Sequence, residues 1–306
     1  MTQAKLVGEL LNETYPERPE ILGPWLRVAN LVLLYAPRGI GKTFFALWLA
    51  HAIATRSKFL KWTPLQERKV VLFDGEMGFQ PLQQRLIEID ASNQNSIRGN
   101  MLSIMSFETF GSTMPNLSTK EGQKVYTEAL KGHDIAIIDN LLSCSAPESS
   151  RDDDVRMWGR IQEWAIRMRQ QGKTILFIHH AGKSGAQLGT SQRENVMDTI
   201  VALHRPKRAE MMNGFEADLK FEKARNFYGK EAEPIYIRLD HTETGSRWSW
   251  TTMDDKLKLD VLHYSQRGMK DHEIAKHLNI PVFQVKEYLS TDNTHWSDGY
   301  EHDTEF

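Results

Sequence analysis

The chain has 306 residues, 25% of them charged and 40% hydrophobic, which is enough for a sizeable core without disulfide staples and too apolar for general disorder. With 38 Lys and Arg against 40 Asp and Glu the net charge is −2, which excludes a polybasic coat and leaves any nucleic-acid contact to a local basic stripe. One cysteine, Cys144, excludes a disulfide framework and a multi-cysteine zinc site; with no ~18-residue apolar run and no basic-then-apolar leader at Met1–Leu10, a cytoplasmic protein without a membrane partner is expected.

From Leu31 to Leu239 short apolar runs alternate with helical stretches, the pattern of βα units around a mostly parallel sheet. Strands are predicted at Leu31–Tyr35, Val70–Asp74, Ile135–Asp139 and Thr174–Ile178. Each is apolar nearly throughout, as strands covered on both faces are, and ends on a polar residue or turn, where open α/β sheets bind ligands. Between them Thr43–Thr55 reads as a buried helix, Pro81 opens a helix with Leu82, Leu86 and Ile89 on one face, and Val155–Gln170 reads as another. Leu142–Asp154 and Ala181–Ser191 have loop composition and are expected on the ligand side of the sheet.

Phe215–Arg225 alternates with period two, which predicts a half-exposed strand with Lys223 and Arg225 on the face of Phe215, Leu219 and Phe221. Buried charges there must leave the sheet or meet an anion. Two readings stand: a sheet-end salt bridge, or two cations offered to a neighbouring subunit's γ-phosphate. After Trp250 the pattern becomes purely helical, which divides residues 1–250 from a helical segment at 254–290 and an acidic, disordered tail at 291–306. Leu257–Arg267, Lys270–Leu278 and Val282–Leu289 form that segment, and the stretch from Asp271 to Pro281 resembles a helix-turn-helix. Its charges balance and its second helix offers chiefly Gln284 and Lys286, so DNA binding and protein packing both remain open.

The chemistry concentrates at strand ends. Ala36-Pro37-Arg38-Gly39-Ile40-Gly41-Lys42-Thr43 follows a strand and opens a helix through Phe44, which matches a P-loop except that Ala36 replaces the first glycine. Gly39 and Gly41 let successive N–H groups face inward; Lys42 would reach the β- and γ-phosphates of ATP and the Thr43 hydroxyl would bind Mg²⁺. Asp139, at the end of a buried strand, fits the second-shell carboxylate of such a metal, with helix capping as its plain alternative. Glu76 lies just beyond the strand ending at Asp74 and suits a base or water-orienting group; Asp74 competes for the role. Of His179 and His180, adjacent on a strand and pointing opposite ways, one donating to the γ-phosphate is more economical than a two-histidine metal site.

Taken in order, APRGIGKT at 36–43, VLFDGEM at 71–77, IIDNL at 137–141, IHHAGKSG at 178–185, GTSQREN at 189–195 with Asp198, and FEKARNFYG at 221–229 resemble the RecA-superfamily hexameric helicases. The resemblance is strongest to RepA-like ATPases of plasmids and mobile elements, more distant to DnaB, and covers Ile21 to Trp250. It implies a RecA-like P-loop core, with Lys42 and Thr43 at phosphate and Mg²⁺, Glu76 as catalytic carboxylate, Asp139 as Walker B residue and His180 as γ-phosphate sensor. Lys223 and Arg225 would act across a subunit interface, and Lys183 and Arg193 would lie near single-stranded DNA. The implied protein is an ATP-hydrolysing, ring-forming homo-oligomer, a hexamer, that moves on single-stranded DNA in replication or maintenance of a mobile element, with a replication-protein partner at its C-terminal segment. A RecA-like switch that does not unwind DNA, and a non-catalytic DNA-tethered adaptor stabilised by nucleotide, remain alternatives. Two departures from the pattern are Ala36 and Leu188, where relatives carry glycine and often arginine.

Overall fold

Leu, Ile and Val fill the runs 31–36, 70–74, 135–139 and 174–179, and each run is buried along its length as a strand between two helical layers. The computed structural model describes residues 4–145, 151–181, 194–206, 214–242 and 245–290, and the chain divides into two units, Met1–Trp250 and Thr251–Phe306.

In the first unit a short helix α1 (Val7–Leu11) precedes the hairpin β1 (Glu20–Leu22) and β2 (Leu26–Arg27). Then follow β3 (Leu31–Ala36), α2 (Lys42–Thr55), β4 (Val70–Asp74), α3 (Phe79–Ala91), β5 (Leu102–Ser106), α4 (Lys120–Lys131), β6 (Ile135–Asp139), α5 (Arg151–Gln170) and β7 (Thr174–His180). The unit closes with β8 (Thr199–His204), β9 (Gly214–Ala224), β10 (Ile235–Thr242) and β11 (Gly245–Thr252). Among the described residues these build a nine-stranded sheet of order β11-β10-β9-β8-β3-β7-β6-β4-β5. Its strands from β8 to β5 run parallel, and β9 and β10 are antiparallel additions.

Strand parity decides which end groups meet. Val32 and Leu34, Leu72, Ile137 and Ile178 face the layer of α2, whereas Leu33, Phe73, Ile138 and Phe177 face α5. Continuing that alternation by one residue sends Asp74, Asp139 and His180 to the α2 face, at the strand ends where α2 begins.

Three expectations are corrected. The helix expected at Pro81 opens at Phe79, with Pro81 in its first turn, where a missing N–H costs nothing. Arg151–Asp154, read as loop, is the first turn of α5. The third concerns β9. Val201 pairs with Phe221, but Ile200 pairs with Lys223, so Glu222 is a bulge that reverses the alternation. Lys223 therefore lies with Ile200 on the α5 face, opposite Phe221, and not on the face of Phe215 and Leu219 as the period-two pattern predicts.

The second unit contains α6 (Met253–Gln266), α7 (Asp271–Leu278) and α8 (Val282–Ser290) around Val261, Ile274, Leu278, Val285 and Tyr288. Asn279 ends α7 in the left-handed conformation (φ 53°), and Pro281 starts the next helix at a helix-turn-helix spacing.

Candidate active site

Between β3 and α2 the chain turns through Gly39 (φ 72°) and Gly41 (φ 100°). Positive φ alone favours glycine, and at Gly41 a Cβ would also lie 2.6 Å from the Phe215 ring. Ala36, by contrast, is the last residue of β3, buried opposite His180 and without positive φ, so alanine fits where the P-loop pattern has glycine. Lys42 folds back over the loop, its Nζ donating to the carbonyls of Ala36 (3.1 Å) and Pro37 (2.9 Å). Burial lowers its pKa, opposed by the carboxylates of Asp139 and Glu76. Arg38 is exposed at the crest, Ile40 is buried in the core, and the Phe44 ring lies under the Arg85 guanidinium at 5.8 Å.

Asp74 and Asp139 are register partners on β4 and β6. Burial raises Asp139 to about 7 against a hydrogen bond from the Thr43 hydroxyl, and raises Asp74 to about 6 against two backbone N–H bonds. Those two bonds, from Glu76 (2.9 Å) and Met77, land on Asp74 Oδ1, so Asp74 holds the turn that carries Glu76. Oδ2 of each aspartate is buried and takes no hydrogen bond among the described residues. The Thr43 hydroxyl, hydrogen-bonded to Asp139, together with the unused Asp139 oxygen fits Mg²⁺ held jointly with nucleotide phosphates. Among the described residues no cluster of three His, Cys, Asp or Glu would hold a metal unaided.

Beyond these carboxylates, Glu76, Asn140 and His180 form a triangle. Asn140 Nδ2 donates to Glu76 Oε1 (2.5 Å) and contacts His180 Nε2 (3.2 Å); its Oδ1 accepts the N–H groups of Leu142 (2.9 Å) and Ser143 (3.2 Å). The Oδ1 bonds fix the amide orientation, and His180 Nε2 lies between a donor, Asn140 Nδ2, and an acceptor, Glu76 Oε1 (3.5 Å). Burial first, and Lys42 second, lower the His180 pKa, opposed by the Glu76 carboxylate beside it. His180 Nδ1 is buried and without a partner among the described residues. His179 is fully buried, on the other side of the strand.

Gly75 lets the two turns touch. A Cβ there would stand 2.3 Å from Ser143 Oγ and 3.1 Å from the Ser143 carbonyl carbon, while the Gly75 N–H donates to the Asp139 carbonyl (2.8 Å). A cleft of about 780 Å³ opens over these groups between Arg38, Glu76, His180 and Ser143 on one side and Phe107 and Met114 on the other.

Lys223 and Arg225 lie elsewhere. β8 begins beside the start of β3, so they stand at the opposite end of the sheet from their own phosphate loop. Lys223 Nζ donates to the Glu194 and Asn195 carbonyls and Arg225 to the Asn195 carbonyl (2.8 Å), while Arg225 and Arg169 each form an ion pair with Asp198 (3.6 Å). Lys183, Leu188 and Arg193 fall outside the described residues. Sequence reasoning missed Asn140 and Ser143, although both follow the Asp139 strand end within four residues. It also missed Arg205, whose guanidinium donates to the Arg38 carbonyl (3.2 Å) across 167 residues of chain, a contact no local pattern signals.

A family model described as an AAA domain matches residues 2–186. Among solved structures the chain is similar to a KaiC-like protein from the hyperthermophilic archaeon Pyrococcus horikoshii OT3, at 12% identity and a TM-score of 0.52, over 76% of this chain and 98% of that one. At that identity the likeness bears on the fold, which is a RecA-like α/β P-loop core. Among the described residues no helix is long and apolar enough to cross a membrane. The matched span runs from the N-terminal segment through the phosphate loop, Glu76, Asp139 and His180, and the chain belongs to the AAA domain family.

Proposed function

We propose that the chain is a Mg²⁺-dependent ATPase that assembles as a ring and moves on single-stranded DNA. The observation that supports hydrolysis is the convergence of Lys42, Thr43, Asp139, Glu76 and His180 on one face at one end of the sheet. Phosphates would sit on the inward N–H groups of the loop and at the α2 N-terminus, and Lys42 would exchange its carbonyl partners for phosphate oxygens. Mg²⁺, held at Thr43 and Asp139, would neutralise phosphate charge. Glu76 orients the attacking water and accepts its proton, its carboxylate held by Asn140. His180, bonded to the same Asn140, is placed to register loss of the γ-phosphate and pass it to the chain beyond Ala181.

The ring and the DNA come from the resemblance to RepA-like helicases. Lys223 and Arg225 are remote from their own phosphate loop, so they would act only on a neighbour's nucleotide; the ion pair of Arg225 with Asp198 equally fits the sheet-end salt bridge. Lys183 and Arg193 would face the DNA strand. The helical second unit would hold DNA or a replication protein. The test is ATP hydrolysis with and without single-stranded DNA, together with the mass of the particle with a non-hydrolysable nucleotide. DNA-stimulated turnover by a ring-sized species is expected; a persistent monomer with unstimulated turnover contradicts the motor, and strand displacement separates a translocating helicase from a switch.

A further inference from the structure

Asp74, Asp139 and Glu76 stand at the strand ends around the phosphate loop, and Lys42 answers these carboxylates from the inner side. Arg38 is a second cation, at the crest, where the chain turns between Pro37 and Gly39 (φ 72°). Its carbonyl and its side chain serve opposite flanks of the loop. The carbonyl accepts a hydrogen bond from Arg205 (3.2 Å), which follows β8, while the side chain lines the cleft bordered by Gly75, Glu76 and His180, on the β7 side of β3. There its charge lowers the pKa of both Lys42 and His180. The carboxylate that lines this cleft, Glu76, stands 3.5 Å from His180; Arg38 forms no ion pair among the described residues and is exposed.

We propose that Arg38 is a further catalytic residue, whose guanidinium contacts the γ-phosphate oxygens from the cleft side in the same copy that binds the nucleotide, a reading that rests on the nucleotide site argued above. In hydrolysis water adds to the γ-phosphorus as its proton passes to Glu76, the bond to the β,γ-bridging oxygen breaks, and the electron pair stays on ADP. Negative charge spreads over the equatorial and leaving oxygens meanwhile. A planar fork of N–H donors bonds such charge at more than one oxygen, which the point charge of Lys42 on the inner side does not. The hydrogen bond from Arg205 fixes the crest, and with it the root of the Arg38 side chain, before nucleotide arrives. Arg225 differs in kind: it stands at the far end of the sheet, where it could serve a neighbour's nucleotide, whereas Arg38 serves its own.

The experiment measures, by titration calorimetry, the binding of MgADP alone and of MgADP with aluminium fluoride, which mimics the phosphoryl group in transit, with hydrolysis rates on the same preparations. Arg38→Ala is expected to leave MgADP within about threefold and to weaken the fluoride complex about a hundredfold, with kcat lowered to match, because the lost donors act on charge that ADP lacks. Equal weakening of both ligands, or an unweakened fluoride complex, would overturn the proposal. Mixing tests the assignment to the same copy. Arg38→Ala and Lys42→Ala chains each carry a damaged site, so their mixture is expected to stay inactive, and recovery of hydrolysis on mixing would overturn that assignment. Lys42→Ala alone is the control for the site itself: it should weaken both ligands, and if it weakens neither, the nucleotide site rather than the role of Arg38 is at fault.

Discussion

Asp74 is a strand residue whose carboxylate is buried within the sheet, and its pKa is raised from 3.8 to about 6 mainly by burial. A raised carboxyl binds its proton more tightly in the folded chain than in the unfolded one. Its contribution therefore favours folding below pH 4 and is progressively lost as pH rises through about 6. Asp74→Asn keeps an oxygen for the Glu76 and Met77 N–H groups and removes the charge. Without nucleotide or Mg²⁺, the variant is expected to match the wild type near pH 4 and to melt several degrees higher at pH 8, at ~2–4 °C per kcal/mol for a unit of this size. Melting curves across that range check it; a variant less stable at pH 8 would show that the charged form is satisfied by a partner.

At the scale of elements, the junction of the turns after β4 and β6 sets the position of Glu76. Gly75→Ala would drive its methyl group into Ser143, and because the clash includes the Ser143 Cβ at 2.6 Å and its carbonyl carbon, trimming the hydroxyl does not relieve it. Turnover is expected to fall by ~10²-fold with nucleotide affinity nearly unchanged, and Gly75→Ala/Ser143→Ala is expected to stay slow; steady-state kinetics of both variants check this. The central strands were legible because burial on both faces leaves uninterrupted Val, Ile and Leu, and parity then carries Asp74, Asp139 and His180 to one face. The phosphate loop was legible because its glycines are required by backbone geometry. The bulge at Glu222 was not, since an inserted residue leaves the alternation of types intact while reversing its sense. Asn140 and Arg205 were hidden for a different reason: their roles arise from contacts to Glu76 and Arg38 that chain distance conceals.

For the whole molecule, Arg225 stands at the sheet end opposite its own loop, and under the proposed ring assembly activity would be a property of paired copies. Arg225→Ala is expected to bind nucleotide and to lose hydrolysis on the order of a thousandfold. Mixing it with Lys42→Ala should restore part of the rate, since one copy supplies an intact loop and the other an intact Arg225. Rates of mixed assemblies check this, and absence of rescue in assemblies that demonstrably mix would reduce Arg225 to the ion pair it makes with Asp198. The central claim is that the cluster around the phosphate loop hydrolyses ATP through Glu76. The most direct measurement is single-turnover phosphate release from Mg²⁺·ATP by the wild type and by Glu76→Gln, with ATP affinity measured on the same preparations. Equal affinity with release slowed ~10²-fold or more is the predicted result; near-normal release by Glu76→Gln would contradict it.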